Sequence, residues 1–211
     1  MIPLRDVIPS RTTPYVNFTL IGLNVLVFVY EMSLGDALEP FIESFALIPA
    51  FFSWTTVFTS MFLHGGLLHV GGNMLFLWIF GNNIEDVMGS LSYVGFYLLS
   101  GLVAAAAHIA VQPNSTVPVV GASGAIAGVM GAYMVLFPNV RIRTVFILIF
   151  FFFLRDIRAK YLLGFWFLLQ FFTNPAEGVA WVAHVGGFVF GAIVGFFLRE
   201  RLRPRHASWV P

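Results

Sequence analysis

Cysteine is absent from the 211 residues. That excludes disulfides, thiolate metal sites and a cysteine nucleophile. Charge is scarce: Asp, Glu, Lys and Arg make up 10% of the chain, against about 25% in soluble domains. The formal net charge is +1, so there is no basic face for nucleic acid and bulk charge names no partner. What is abundant is apolar: 59% of residues, 25 of them Phe, at a mean hydropathy of +0.88. A disordered chain and an ordinary soluble enzyme are both excluded. The sequence reads as an all-α polytopic membrane protein, a single domain over residues 1–211 whose solvent is the lipid bilayer.

Six apolar runs are expected to form spans: residues 16–30, 67–84, 91–111, 123–137, 161–173 and 179–198. The transmembrane core is then 16–198, between an N-terminal segment 1–15 and a basic tail 199–211. Arg5 and Arg11 precede the first run, but no small-residue cleavage site follows it, so it reads as a retained helix. Several runs fall short of the roughly 20 residues a bilayer needs, which a bundle tolerates where loops are buried or water-lined. The stretch 144–154 is too short to cross and has Arg141 and Arg143 before it and Arg155, Arg158 and Lys160 after it. It is expected on or near the inner surface. With six spans, all eleven Lys and Arg residues fall on one side, which places both termini in the cytoplasm. The long first outer loop, 32–66, is expected to hold short helices in the outer interface, partly inserted in the membrane.

Polar groups inside a membrane are costly, and each needs a reason. Counted from the cytoplasmic helix ends, Ser123 lies 15 residues up from Pro138, about 22 Å, and His184 lies 14 from Leu198, about 21 Å. His69 lies 16 from Glu85, about 24 Å, and Asn73 lies 12, about 18 Å. All four share one layer, several ångströms below the outer surface of a core about 30 Å thick. Ser123 opens its span between Gly121 and Gly124, where backbone N–H groups are unpaired and can hold an oxyanion. A Ser that merely caps a helix would look the same. Gly124, Gly128 and Gly131 line a helix face below Ser123; Gly187, Gly191 and Gly195 do so below His184. Packing along these two faces brings Ser123 and His184 within hydrogen-bond reach. His69 and Asn73, four apart, share a face, and both can donate to a developing oxyanion. They could equally tie the second span to the outer loop.

His64 reads as a structural anchor of that loop, His108 as a packing or interface residue, and His206 as a solvated tail residue. A zinc site at His64, His69 and His184 fails on spacing, and no carboxylate lies at that depth, so neither a metal nor a cofactor is expected.

The motifs His64-Gly-Gly-Leu-Leu-His69-Val-Gly-Gly-Asn73, Gly121-Ala-Ser123-Gly124 and Ala183-His184-Val-Gly-Gly187-Phe-Val-Phe-Gly191 occur in that order on successive spans. In these, in segment 81–89 with Glu85, and in the opening Met-Ile-Pro-Leu-Arg-Asp, the chain resembles the rhomboid family of intramembrane serine proteases. The resemblance implies a six-helix bundle with a Ser–His dyad and no acidic third member. Ser123 would be the nucleophile and His184 the general base. His69, Asn73 and the Ser123 backbone N–H would form the oxyanion hole. The fifth span, near residues 165–171, would resemble the mobile helix that admits substrate from the side. The partners implied are transmembrane proteins with one span, and the location implied is a bacterial inner membrane, with the site open to the outer face. There are two departures. Trp54 is followed by Thr55 where many members have Arg, and Ala127 stands where many place an aromatic ring against the histidine, so this imidazole must be held some other way.

A catalytically inactive rhomboid-like protein that binds membrane clients is the main rival, and it has no need of both Ser123 and His184. A small transporter would need an inverted repeat or a polar path through the membrane, and neither is visible.

Overall fold

The computed structural model describes residues 1–148, 151–173 and 180–202. The expected 174–178 loop, and the tail beyond 202 with His206, lie outside the described residues. The elements run β1 (Ile2–Asp6), α1 (Tyr15–Ser33), α2 (Leu38–Phe45), α3 (Trp54–Thr59), α4 (Leu67–Phe76), α5 (Asn82–Met88), α6 (Ser90–Val111) and α7 (Ser123–Leu136). Then come β2 (Arg141–Leu148), β3 (Phe151–Arg158), α8 (Ala159–Gln170) and α9 (Trp181–Leu202). A π-helical turn, Leu77–Gly81, joins α4 to α5.

Among the described residues, three helices are long and apolar enough to cross a membrane: Tyr15–Ser33, Ser90–Val111 and Trp181–Arg199. A fourth span results if Trp54–Phe62 and Leu67–Met88, bent by 89°, count as one. Helices α7 and α8 have 14 and 12 residues, about 21 and 18 Å, less than the hydrocarbon core. The outer loop 32–66 carries short helical pieces, α2 and α3 with 3₁₀ turns at Gly35–Ala37, Pro49–Phe51 and Ser60–Phe62.

The all-α expectation is corrected by a three-stranded antiparallel sheet in the order β1-β2-β3. The stretch 144–154 lies in its β2–β3 hairpin, where Arg141 pairs with Arg158 and Leu148 with Phe151. Ile142, Thr144, Val145 and Ile147 are β-branched, and residues 151–153 are all Phe, side chains that fit a pleated surface. Ile142 and Thr144 are buried, whereas Arg141 is exposed, so the start of β2 alternates in and out. The rings of Phe146 and Phe153 stack across the strands at 5.2 Å. The exposed Arg143–Asp156 pair, at 3.0 Å, adds little.

Buried polar side chains tie the helices together. Helix α1 begins after Pro14 with no side-chain cap of its own. Glu85 of α5 accepts its Val16 and Asn17 N–H groups at 3.1 and 2.8 Å, and the Ser90 hydroxyl donates to the same carboxylate at 2.6 Å. A carboxylate there also meets the positive end of the helix dipole. Asp86 accepts the Arg11 and Thr12 N–H groups and the Thr12 hydroxyl. Asn17 donates to the Leu77 carbonyl of the π turn at 3.1 Å and accepts from Tyr93 Oη at 2.8 Å. A Cβ on Gly81 would strike Asn17 Oδ1, so this junction needs glycine.

Helices α7 and α9 touch backbone to backbone. A Cβ on Gly187 would meet the Gly124 carbonyl, one on Gly191 the Gly128 carbonyl, and one on Gly195 would lie 3.0 Å from Ala132 Cα. The fourfold repeats on the two helices are therefore in register, Gly124 with Gly187 and Gly128 with Gly191. We expect Gly191→Val to lower Tm sharply and abolish activity, because one backbone must retreat. A variant that melts like wild type in detergent would show that the helices do not meet there.

At the sheet end of the bundle, Asp6 accepts from Tyr133 Oη at 2.7 Å and from Asn83 Nδ2. Burial pushes its carboxyl up to about 6, against the lowering effect of these bonds. The raised value means that the native state favours the protonated form. Its contribution is fully present below about 4 and is lost as pH rises to about 6, beyond which it is constant. Asp6→Asn should flatten this part of the Tm profile between about pH 4 and pH 6. Parallel Tm curves for wild type and variant across that range would refute the assignment.

Candidate active site

Ser123 is the first residue of α7, and the chain reaches it through a turn held on both sides. Leu47 and Val119 exchange backbone hydrogen bonds at 3.1 and 2.8 Å, and the Gly121 N–H donates to the Ser60 carbonyl at 2.8 Å. Gly121 has φ +125°, and a Cβ there would lie 2.8 Å from His69 Nε2 and 3.6 Å from Asn73 Nδ2. The turn thus requires glycine twice over, for its backbone angle and for the approach of His69.

Because α7 and α9 pack through glycine, the side chains just above the contact meet. His184 Nε2 lies 2.8 Å from Ser123 Oγ. On the other side of the ring, Nδ1 lies 2.7 Å from Gln170 Oε1. The Trp166 ring lies against the imidazole, centroids 5.7 Å apart and planes at 42°. Ala127 is buried and offers no ring; the histidine is held by α8 instead. The sequence reading singled out neither Gln170 nor Trp166. The available signal is an uncharged polar residue at the end of the apolar run Leu162–Leu169, a type that needs a partner in a membrane.

His69 and Asn73 face the same turn from α4. The Gly65 N–H donates to His69 Nδ1 at 3.3 Å, so the ring proton sits on Nε2, beside Gly121. Asn73 Nδ2 is buried and has no hydrogen-bond partner among the described residues. Two donors, one of them unpaired, therefore converge beside the N-terminus of α7. A carbonyl oxygen that turns into an oxyanion there would satisfy them.

His64 points elsewhere. Its Nδ1 lies 3.2 Å from the Phe62 carbonyl, and its backbone N–H donates to buried Glu31 at the end of α1. It ties the loop to α1 and packs edge-on against His69 at 5.2 Å. His108, expected in packing, lines the cavity, buried and with neither ring nitrogen partnered among the described residues. The cavity has a volume of about 300 Å³ and is bounded by Ser123, His184, His69, His108, Gly121 and Met61 among others.

The family model described as the rhomboid domain matches residues 52–201. The chain is 27% identical over 198 residues to the mitochondrial rhomboid protein 1 of Saccharomyces cerevisiae, covering 87% of this chain and 53% of that protein. It is 30% identical over 126 residues to the rhomboid protease GluP of Bacillus subtilis, covering 57% of this chain and 24% of GluP. To the human mitochondrial presenilin-associated rhomboid-like protein it is 30% identical over 138 residues, covering 63% of this chain and 35% of that protein. The chain belongs to the rhomboid family and is an integral membrane protein. It spans about half the length, or less, of these relatives.

Gly121→Ala should cost activity without unfolding the protein. The new methyl would force the turn out of its backbone angle and push on His69. A shift of about 1 Å at a reacting group can lower the rate about a hundredfold. Unchanged kcat at unchanged Tm would mean that the turn and His69 do not act together.

Proposed function

We propose that the protein is an intramembrane serine endopeptidase that cleaves the transmembrane segments of single-span membrane proteins through an acyl-enzyme. The observation that carries this reading is the 2.8 Å contact of Ser123 Oγ with His184 Nε2. It occurs at a cavity lined by His69, with the unpaired Asn73 Nδ2 beside the same helix N-terminus. In this proposal the single domain crosses the membrane six times, with α7 and α8 starting below the surface. Both termini lie in the cytoplasm of a bacterial cell, and the cavity opens to the outer face. The basic residues support that orientation. The relatives named as mitochondrial and as bacterial are compatible with such a membrane protein.

His184 Nε2 takes the hydroxyl proton as Ser123 Oγ attacks the scissile carbonyl. The charge that develops on the carbonyl oxygen is met by His69 Nε2–H, Asn73 Nδ2 and the Ser123 backbone N–H. The imidazolium then returns its proton to the leaving amine, and in the second half it deprotonates water, which attacks the acyl-enzyme. The substrate helix must unwind at the cut, so small residues there and helix-breaking residues nearby are expected. Access from the bilayer runs beside α8, whose Tyr161, Phe165, Leu168 and Leu169 are exposed in the isolated chain.

A fluorophosphonate probe should label the wild type and not Ser123→Ala. Cleavage of a transmembrane substrate in proteoliposomes should be lost in both Ser123→Ala and His184→Ala. Asn73→Ala should keep activity, with kcat lower by roughly a hundredfold, because the other donors remain. Equal labelling of wild type and Ser123→Ala, or no cleavage by a folded wild type, would favour an inactive client-binding protein.

A further inference from the structure

The contacts around Gln170 carry one step more, which rests on the protease reading above. Gln170 is 6% exposed. Its Nε2 donates to the Trp166 carbonyl, one turn back in α8, at 2.9 Å. A carbonyl can only accept, so this bond sets the amide with its NH2 toward Trp166 and its Oε1 toward His184. Oε1 can only accept as well, so the His184 Nδ1 at 2.7 Å must carry the ring proton. Nε2 is then a lone pair, and the Ser123 hydroxyl at 2.8 Å donates to it. The direction of every hydrogen bond from the Trp166 carbonyl to Ser123 Oγ follows from that one backbone acceptor.

We propose that Gln170 is the positioning residue of the dyad: it selects the His184 tautomer with hydrogen on Nδ1 and aims the free Nε2 at Ser123. This is the place that an acidic side chain takes in soluble serine hydrolases, where it orients the imidazole and holds the correct tautomer. Here a neutral amide does it, and a backbone carbonyl fixes the amide. Trp166 has two parts in the arrangement, its ring against the imidazole and its carbonyl at the head of the chain. Both belong to α8, so the histidine is set for catalysis only while α8 is docked on α9.

Three measurements on the full-length protein in detergent test this. The first is kcat and KM for Gln170→Met, which keeps the length of the side chain and removes the acceptor. We expect kcat to fall roughly tenfold to a hundredfold, less than the roughly 10⁴ lost when a soluble triad is left in the wrong tautomer. KM and Tm should stay close to wild type. The second is Gln170→Glu, whose neutral acid can donate to the Trp166 carbonyl and accept from Nδ1, and which should recover kcat to within about fivefold of wild type. The third is 15N NMR of histidine-labelled protein, with His184 assigned through His184→Gln. The wild type should show a protonated Nδ1 and a bare Nε2, and Gln170→Met should show a mixture of tautomers.

A wild-type proton on Nε2, or a Gln170→Met protein with wild-type kcat and an unchanged tautomer, would overturn the proposal. So would a folded Gln170→Glu protein as slow as Gln170→Met. The tautomer is read without turnover. If Ser123→Ala proved as active as wild type, the protease reading would fall, and the spectrum would still decide what Gln170 does to His184.

Discussion

Helices α7 and α9 meet with no side chain between them, and the position of everything reactive follows from that contact. The Gly124–Gly187 and Gly128–Gly191 rungs set both the distance and the register of the two backbones. Ser123 lies one residue before Gly124, and His184 lies three before Gly187. Once the rungs are closed, the two side chains have few places to go except toward each other. Between transmembrane helices there is little hydrophobic drive, because lipid tails are as apolar as the side chains. Close backbone packing supplies the attraction instead. The contact that stabilises the pair is thus also the one that positions the dyad.

The remaining helices are held by polar groups that would be costly to bury alone. Glu85 caps α1, Asn17 satisfies the π turn, Glu31 receives the loop at His64, and Asp6 accepts from Tyr133 and Asn83. Each joins elements far apart in sequence, and together they hold α1 against the α4–α5 unit and the outer loop. Other buried polar atoms have no partner among the described residues, Asn24 Oδ1, Asn83 Oδ1, Tyr97 Oη and His64 Nε2 among them. The same holds for the ring of His108, which lines the cavity, and for Asn73 Nδ2, which lies beside Gly121.

Much of this could be read from the sequence, because membrane burial makes polar residues and glycine spacing informative. Six helices were expected at 16–30, 67–84, 91–111, 123–137, 161–173 and 179–198, and helical segments occupy those regions with ends shifted by a few residues. The paired glycine faces are visible as Gly124, Gly128 and Gly131 on one helix and the four-residue repeat Gly187, Gly191 and Gly195 on the other. The sheet is not legible in the length and flanking charge of 144–154, which do not distinguish a hairpin from a surface helix. The alternation Arg141-Ile142-Arg143-Thr144 is present, but the sequence that follows, residues 145–154, is apolar throughout and hides a period of two. Gln170 was missed for a different reason. No motif surrounds it, and its partner lies 14 residues away on another helix. Only the packing of α8 on α9, through Phe167 and Phe188 at 4.7 Å, brings the two together.

The use of an amide beside His184 has a physical reason. A carboxylate in the hydrocarbon region costs about 3 kcal/mol to insert, and it is repaid only by close, well-formed partners. In a soluble enzyme, solvent and surrounding donors meet that cost; here the neighbours of His184 on α8 are apolar apart from Gln170. Gln170 brings an acceptor without a charge, and its own donor is satisfied inside its helix by the Trp166 carbonyl. What the amide does not supply is the electrostatic support that a carboxylate lends to the imidazolium formed during the reaction. In the proposed reaction that support must come from the oxyanion opposite, which exists only in the tetrahedral state. For the proposed reaction, such a site would favour the charge-separated transition state over the resting dyad, the difference on which catalysis depends.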